Sequence, residues 1–307
     1  MNMSVDCACE LYIKYVSIKL KPQTYRTVKS RLYNHFLVYF KGWNIEDIKP
    51  NDYLMWQEFI KSKKYRYRYM QGLHTCNVSF FDYLVTYHNI SRNIPKEVGQ
   101  FNNAGTIQDK KITVWDKKTF HKFIRNVYDP EYKLFFQFLY KTGARLGEAR
   151  ALNWEDVNFR DRTISIDKTI SKEFFFGERV VTTPKTKKSI RTIQIDFLLV
   201  RALWIHKKYY SKKYGDCNTL FVFGGEKPLA PTTIDKKKNQ ACKRANIKPI
   251  RLHDFRHSHA TYLLSHHIPL SVVSERLGHS RKSTTLDIYT HLDPKNEKRV
   301  RHALNFL

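Results

Sequence analysis

The stretch from His253 to Leu292 cannot form one long helix, because Pro269 and Gly278 interrupt it. Between and around those breaks the apolar residues recur at helical rather than alternating spacing. Leu270, Val273 and Leu277 make one such row, and Gly278 stands where a helix C-terminal stop is expected. His253 and Arg256 lie three apart and share a face if their segment is helical. Ser283 or Thr284 is placed to cap a third helix, which carries Tyr289. The chain must therefore present His253, Arg256, His279 and Tyr289 from the ends and faces of successive short helices.

What such a set acts on is narrowed by charge. The 307 residues include 55 Lys and Arg against 28 Asp and Glu, a formal net charge of +27. An excess of that size is the electrostatic footprint of a polyanion partner, most often nucleic acid. A Lys-rich genome inflates Lys but does not require so few acids. A membrane surface fits less well, since there is no strongly amphipathic cationic helix or lipidation motif. With 42% hydrophobic residues the chain can bury a real core. Cys7, Cys9, Cys76, Cys217 and Cys242 form neither a disulfide framework nor a CxxC pair, so a reducing cytoplasm is the expected location. No signal peptide and no run of about 18 apolar residues is present.

The periodicity predicts a mainly α chain in two domains. Residues 1–98 read as helical: Leu11–Leu20, then a row of Tyr25, Val28, Leu32 and Phe36. Pro50 opens a helix running to Ile60, and a fourth carries Met70, Leu73, Phe80, Phe81 and Leu84. The run Lys63 to Tyr69 interleaves cations with tyrosines. Lys63, Lys64, Arg66 and Arg68 are candidate phosphate contacts; the plainer alternative is a solvated helix start over half-buried rings. The polar segment 99–112 reads as a linker, preceded by a boundary at Ile94-Pro95.

Residues 113–307 form the second predicted domain. Lys117–Val127 and Pro130–Thr142 read as helices, the latter burying Leu134, Phe135, Phe138 and Leu139. Arg145 lies just past that helix, with Glu148 one turn on. A carboxylate there can orient a guanidinium, although an exposed pair at that spacing contributes only a few tenths of a kcal/mol. Thr163–Asp167 alternates as a strand, and Arg179–Thr182 and Ile190–Ile195 are expected to pair with it. The cationic turn between them holds Lys185, Lys187 and Lys188. Helices are expected over Phe197–Lys208 and from Thr232 or Thr233 through Cys242. A last helix, opened by Asp293-Pro294, has a stripe of Val300, Leu304 and Leu307.

Four chemistries compete for the C-terminal third, which holds eight of the 13 histidines between His253 and His302. A metal site wants carboxylate or thiolate ligands among them, and Arg256 in their midst repels a cation. A helix-turn-helix DNA binder fits the basic helices but leaves the His, Arg and Tyr set without a role. A serine nucleophile at Ser258 or Ser280 lacks its GxSxG turn. The fourth is phosphoryl transfer to a tyrosine: arginines clamp the non-bridging oxygens, a lysine protonates the leaving alkoxide, and histidines donate to the phosphate or accept the phenol proton.

Five segments in order resemble the tyrosine recombinases of the phage and conjugative-transposon integrase family. They are Thr142-Gly143-Ala144-Arg145-Leu146-Gly147-Glu148-Ala149, Lys185 in Pro-Lys-Thr-Lys, His253-Asp254-Phe255-Arg256-His257, Leu277-Gly278-His279-Ser280, and Thr284 to His291 around Tyr289. Leu20-Lys21-Pro22 and Ile48 to Asp52 resemble the family's N-terminal core-binding domain. Phe255 stands where the family usually has Leu, and Gln194 where Pro often follows.

The resemblance implies a SAM-like helical core-binding domain and an α-rich catalytic domain with a small antiparallel sheet, the DNA breaking-rejoining fold. It implies that Arg145 and Arg256 bind the scissile phosphate, that Lys185 is the general acid, and that His253 and His279 assist. Tyr289 attacks to give a 3′-phosphotyrosyl link, and Glu148 supports the site. No metal or other cofactor is implied. The implied partners are double-stranded DNA clamped by both domains and a homotetramer on synapsed sites, formed by the last helix packing in trans. Accessory DNA-bending or directionality factors are further candidates. No arm-site DNA-binding domain is expected. A DNA-binding relative without catalysis and a type IB-like topoisomerase are the alternative readings.

Overall fold

In the computed structural model the described residues are 3–103, 113–175, 178–182 and 190–278, with side chains left out over 171–189. The expected sites Lys185, His279 and Tyr289, the tyrosine helix and the last helix lie outside them. The chain divides into two compact units, Met1–Lys111 and Ile112–Leu307.

The first unit is helical. Ser4 caps α1 (Val5–Lys19) through Cys7 N, so this helix begins earlier than the apolar row from Leu11 suggests. Pro22 occupies the first turn of α2 (Pro22–Arg31), which continues through π-helical turns over Leu32–Leu37 into α3 (Val38–Phe40). Pro50 likewise opens α4 (Pro50–Ser62), where the Asp52 carboxylate accepts from Lys49 N. Asn89, at φ 57°, ends α5 (Tyr67–His88) in the left-handed conformation that asparagine tolerates. Phe36, Phe40, Trp56, Phe80 and Phe81 fill the core between them.

The boundary read at Ile94-Pro95 is instead structured. Ile94–Val98 forms α6, which packs on α4 and α5. Phe101 is 2% exposed within the same core, and Gln57 Nε2 donates to Gly99 O at 2.9 Å. The polar composition of this segment hid one buried aromatic that anchors it.

In the second unit Asp116 caps α7 (Lys117–Arg125) and Asp129 caps α8 (Pro130–Thr142). The aromatic side of α8 meets α7 in a cluster of Phe123, Phe136 and Trp115. Phe255 completes it, 5.7 Å from Phe136 and 5.5 Å from Trp115 between ring centroids, so the aromatic at this position is absorbed by an aromatic core. A short α9 (Leu146–Ala151) leads to the strands β1 (Val157–Asn158), β2 (Thr163–Ile166), β3 (Thr169–Phe175), β4 (Glu178–Thr182) and β5 (Arg191–Gln194).

The expected strand pairing is half right. β2 pairs antiparallel with β5, Ile164 facing Ile193, and with β1. β4 does not join them: it pairs with β3, a strand that the sequence reading left out, in a separate two-stranded ribbon. Local alternation marks strands but not which neighbour closes first, and β3 is adjacent to β4 in the chain. α10 (Phe197–Tyr214) follows, longer than expected, then α11 (Pro231–Arg244), α12 (Asp254–Ser265) and α13 (Leu270–Leu277). Among the described residues no helix is long and apolar enough to cross a membrane.

Candidate active site

Two breaks in helical structure bring the site together. α8 ends at Gly143, whose φ of 66° is left-handed, and its N–H caps back onto Leu139 O at 3.0 Å. α13 ends the same way at Gly278, φ 65°. The carbonyls freed at these two C-termini carry the partial negative charge of a helix end. Arginines occupy them. Arg256 Nη1 donates to Gly143 O at 2.9 Å and Arg256 Nη2 to Leu277 O, while Arg145 Nη2 donates to Gly278 O at 2.9 Å. The two guanidiniums thus sit on consecutive carbonyls of one helix end, although 111 residues separate them in the chain.

Arg145 precedes α9 as its N-cap residue. The Glu148 carboxylate accepts both the Arg145 backbone N–H at 2.8 Å and Arg145 Nη1 at 2.7 Å. The spacing alone favoured an exposed pair of small value. Glu148 is instead 4% exposed, because α9 packs closely on β3 and a second arginine covers the carboxylate. That residue is Arg191 of β5, whose Nη2 and Nη1 meet Glu148 at 2.8 and 3.2 Å.

Burial alone would raise the Glu148 pKa. The Arg191 hydrogen bonds and charge, with the Arg145 charge, outweigh it and hold the carboxyl at about 2. This folded value lies below the ordinary 4.5, so the stabilisation is complete above pH 4.5 and is lost as the pH falls toward 2. A separation of that size corresponds to about 3 kcal/mol. Urea denaturation of the wild type is expected to show that loss between those pH values, and Glu148→Gln is expected to lack it. An unchanged acid dependence in the variant would place the charge coupling elsewhere.

Burial, followed by the charge of Arg145, lowers the Arg256 guanidinium to about 9, which leaves it protonated at neutral pH. Arg256 is 2% exposed, whereas the Arg145 side chain keeps 36% of its surface open. His253 takes the N-cap position of α12, with helical backbone angles of φ −70° and ψ −24°. The residue is exposed, yet the protein packed round the imidazole, then the charges of His257 and Arg256, lower its pKa and keep it neutral at pH 7. A neutral imidazole can both accept and donate a proton. Asp254, the next residue, is committed to Arg251 at 2.8 Å.

Sequence reading missed four residues here. Arg191 falls within Ile190–Ile195, which the sequence marks only as a strand. Arg276 Nε donates to His259 Nε2 at 3.2 Å. His259 Nδ1 in turn donates to Tyr140 O at 3.0 Å, and burial with the Arg276 charge holds this ring neutral, at about 3. His257 packs edge-on against His253, with centroids 4.8 Å apart. Only their partners in the folded chain distinguish these side chains from surface residues. Among the described residues no group of three or more His, Cys, Asp or Glu could hold a metal ion.

The first unit carries the other marked stretch. Lys63, Lys64, Arg66 and Arg68 are exposed, while Tyr65 and Tyr67 between them are half-buried. Tyr67 Oη donates to Phe101 O at 3.3 Å, and Tyr65 stacks edge-on against Tyr69 and His35. The tyrosines are thus spent on packing, and the cations face solvent.

The sequence matches the Phage integrase family over residues 115–296 and the phage integrase N-terminal SAM-like domain over residues 8–61. The ICEBs1 integrase of Bacillus subtilis is 28% identical over all of this chain and 84% of its own length. A XerC-like tyrosine recombinase of Caldanaerobacter subterraneus is 28% identical over 75% of this chain, which spans 63% of that relative. In fold, the Tn1549 transposon integrase in complex with a circular intermediate DNA aligns with a TM-score of 0.79 at 18% identity, covering 98% of this chain and 99% of that one. The chain belongs to the phage integrase family of tyrosine-type site-specific DNA recombinases.

Proposed function

We propose that this chain cuts and rejoins duplex DNA at specific sites through a covalent link to Tyr289. The observation that carries this reading is the pair Arg145 and Arg256, seated on consecutive carbonyls at the end of α13. Arg145 and Arg191 already share one carboxylate, and the charge of Arg145 destabilises protonated Arg256. A phosphodiester offers the negative charge such a cluster takes best, and its charge grows in the transition state.

In this reading the Tyr289 oxygen attacks phosphorus and displaces the 5′ oxygen of the next nucleotide. One P–O bond forms as another breaks, leaving a 3′-phosphotyrosine and a 5′-hydroxyl. Arg145 and Arg256 hold the non-bridging oxygens, and Lys185 protonates the leaving oxygen. His253 and His279 accept the phenol proton or hydrogen-bond the phosphate. Glu148 holds Arg145 in place. The link conserves the bond energy, so the same steps in reverse rejoin a strand. Double-stranded DNA is the substrate, Lys63, Lys64, Arg66 and Arg68 are contacts to its backbone, and a homotetramer on two synapsed sites is the working assembly.

The test uses nicked duplexes carrying a site that the protein selects from a random-sequence pool. Wild type is expected to leave an adduct that survives denaturant, and Tyr289→Phe none. An adduct that persists in Tyr289→Phe overturns the choice of nucleophile. Binding is expected to weaken steeply with salt, the logarithm of affinity falling by about 0.9 per phosphate contact for each decade of salt concentration. A flat salt response would contradict a backbone-dominated interface.

A further inference from the structure

We infer that Arg191 is a positioning residue for strand cleavage, fixing Arg145 by closing a ring of contacts through β5, α9 and the end of α13. The inference rests on the reading above, in which Arg145 binds the scissile phosphate.

The ring can be traced atom by atom. Arg191 Nη2 and Nη1 grip the two oxygens of Glu148 at 2.8 and 3.2 Å. Glu148 holds the Arg145 backbone and Nη1 at 2.8 and 2.7 Å. Arg145 Nη2 reaches Gly278 O at 2.9 Å. Two residues before Gly278, the Arg276 carbonyl accepts Arg191 Nε at 2.7 Å and closes the circuit. Every guanidinium nitrogen of Arg191 is used, and only a planar fork can serve a carboxylate on one edge and a carbonyl from Nε together.

The burial of these groups fits a holding device. The Arg191 side chain is 6% exposed and Glu148 3%, while Arg145 alone keeps an open edge. Substrate can reach Arg145, and Arg191 acts on it only through Glu148. The charged groups facing Glu148 are Arg145 and Arg191, with Arg256 near enough to feel its charge. Arg191 is the strongest influence that counters the burial of this carboxyl. Without it Glu148 takes up a proton more readily and loses its grip on Arg145.

Arg191→Met and Arg191→Lys in the full chain test this on the nicked duplexes described above. Three quantities are followed: adduct formation rate, site affinity and melting temperature. The wild type is scored first; if it forms no adduct, the recombinase reading fails and this inference fails with it. Given a wild-type adduct, Arg191→Met is expected to cleave slower by on the order of 100-fold, as loss of alignment costs, with affinity within about threefold of wild type. Its rate is expected to fall more steeply than the wild type's on the acid side, from a pH above the ordinary glutamate value of 4.5. Arg191→Lys keeps the charge without the fork, so it is expected to restore the wild-type profile at an intermediate rate. If Arg191→Met does not fold, the lysine variant carries the test through its lowered rate at unchanged affinity. Wild-type rates in either folded variant overturn the inference. So does a parallel loss of rate, affinity and melting temperature with no change in pH profile, which is what a purely structural residue would give.

Discussion

Arg256→Lys is expected to slow adduct formation by on the order of 100- to 1,000-fold while site affinity changes only a few-fold. The substitution keeps one positive charge in the same pocket, so long-range attraction for DNA survives. It removes the planar fork. In the wild type that fork spans two helix ends, with Nη1 on Gly143 O and Nη2 on Leu277 O. A single ammonium cannot hold both carbonyls and also present a fixed edge to a phosphate. Arg256 is 2% exposed, so solvent does not repair the loss. A buried carbonyl left unpaired costs about 1–3 kcal/mol. That cost shows in melting temperature, whereas the cleavage defect shows only in rate. Near-wild-type cleavage by this variant would mean that charge alone, without geometry, suffices at this position.

Gly143→Ala is expected to destabilise the second unit by about 3 kcal/mol, from two sources that add. The first is conformational. At φ 66° an alanine adopts a left-handed backbone, at a cost of about 1–2 kcal/mol. The second is steric. A Cβ at this position would lie 2.6 Å from Leu277 Cδ2 and 2.7 Å from His259 Cδ2, both closer than any real contact. Overpacking of that kind costs about 1–3 kcal/mol. His259 is held from both sides, by Tyr140 O and by Arg276, and cannot give way cheaply. The displaced elements are the ones that seat Arg256 and Arg145, so cleavage is expected to fall along with stability. Urea unfolding measures the loss of stability and the adduct assay the loss of cleavage. A stable, active Gly143→Ala would show that the close approach of α8, α12 and α13 is dispensable.

The legible parts of this chain were those written in local chemistry. Pro130 after Asp129, Pro22, Pro50 and Gly278 mark helix ends that the structure places within a residue or two of expectation. The row Leu134, Phe135, Phe138 and Leu139 is buried as its spacing predicts. Arg145, Glu148 and Arg256 converge as the motifs implied, and so does the α13 end at Gly278. What escaped notice was decided by pairing at a distance. β3 follows no clean alternation, yet it takes β4 away from β2. Phe101, a single aromatic in a polar segment, draws 94–101 onto the first unit. Arg191 is indistinguishable in sequence from a solvated strand residue until Glu148, 43 positions earlier, lies against it. The Arg145–Glu148 spacing by itself suggested a weak exposed pair; burial under Arg191 makes it a strong one.

In the proposed reaction the two arginines at the α13 end serve a phosphate attacked by Tyr289. Protease digestion of the denatured protein–DNA adduct, followed by mass spectrometry, tests it directly. One modified peptide is expected, containing Tyr289 joined through its phenolic oxygen to the 3′-phosphate of the cleaved strand. Attachment at any other residue, or through a 5′-phosphate, would contradict it.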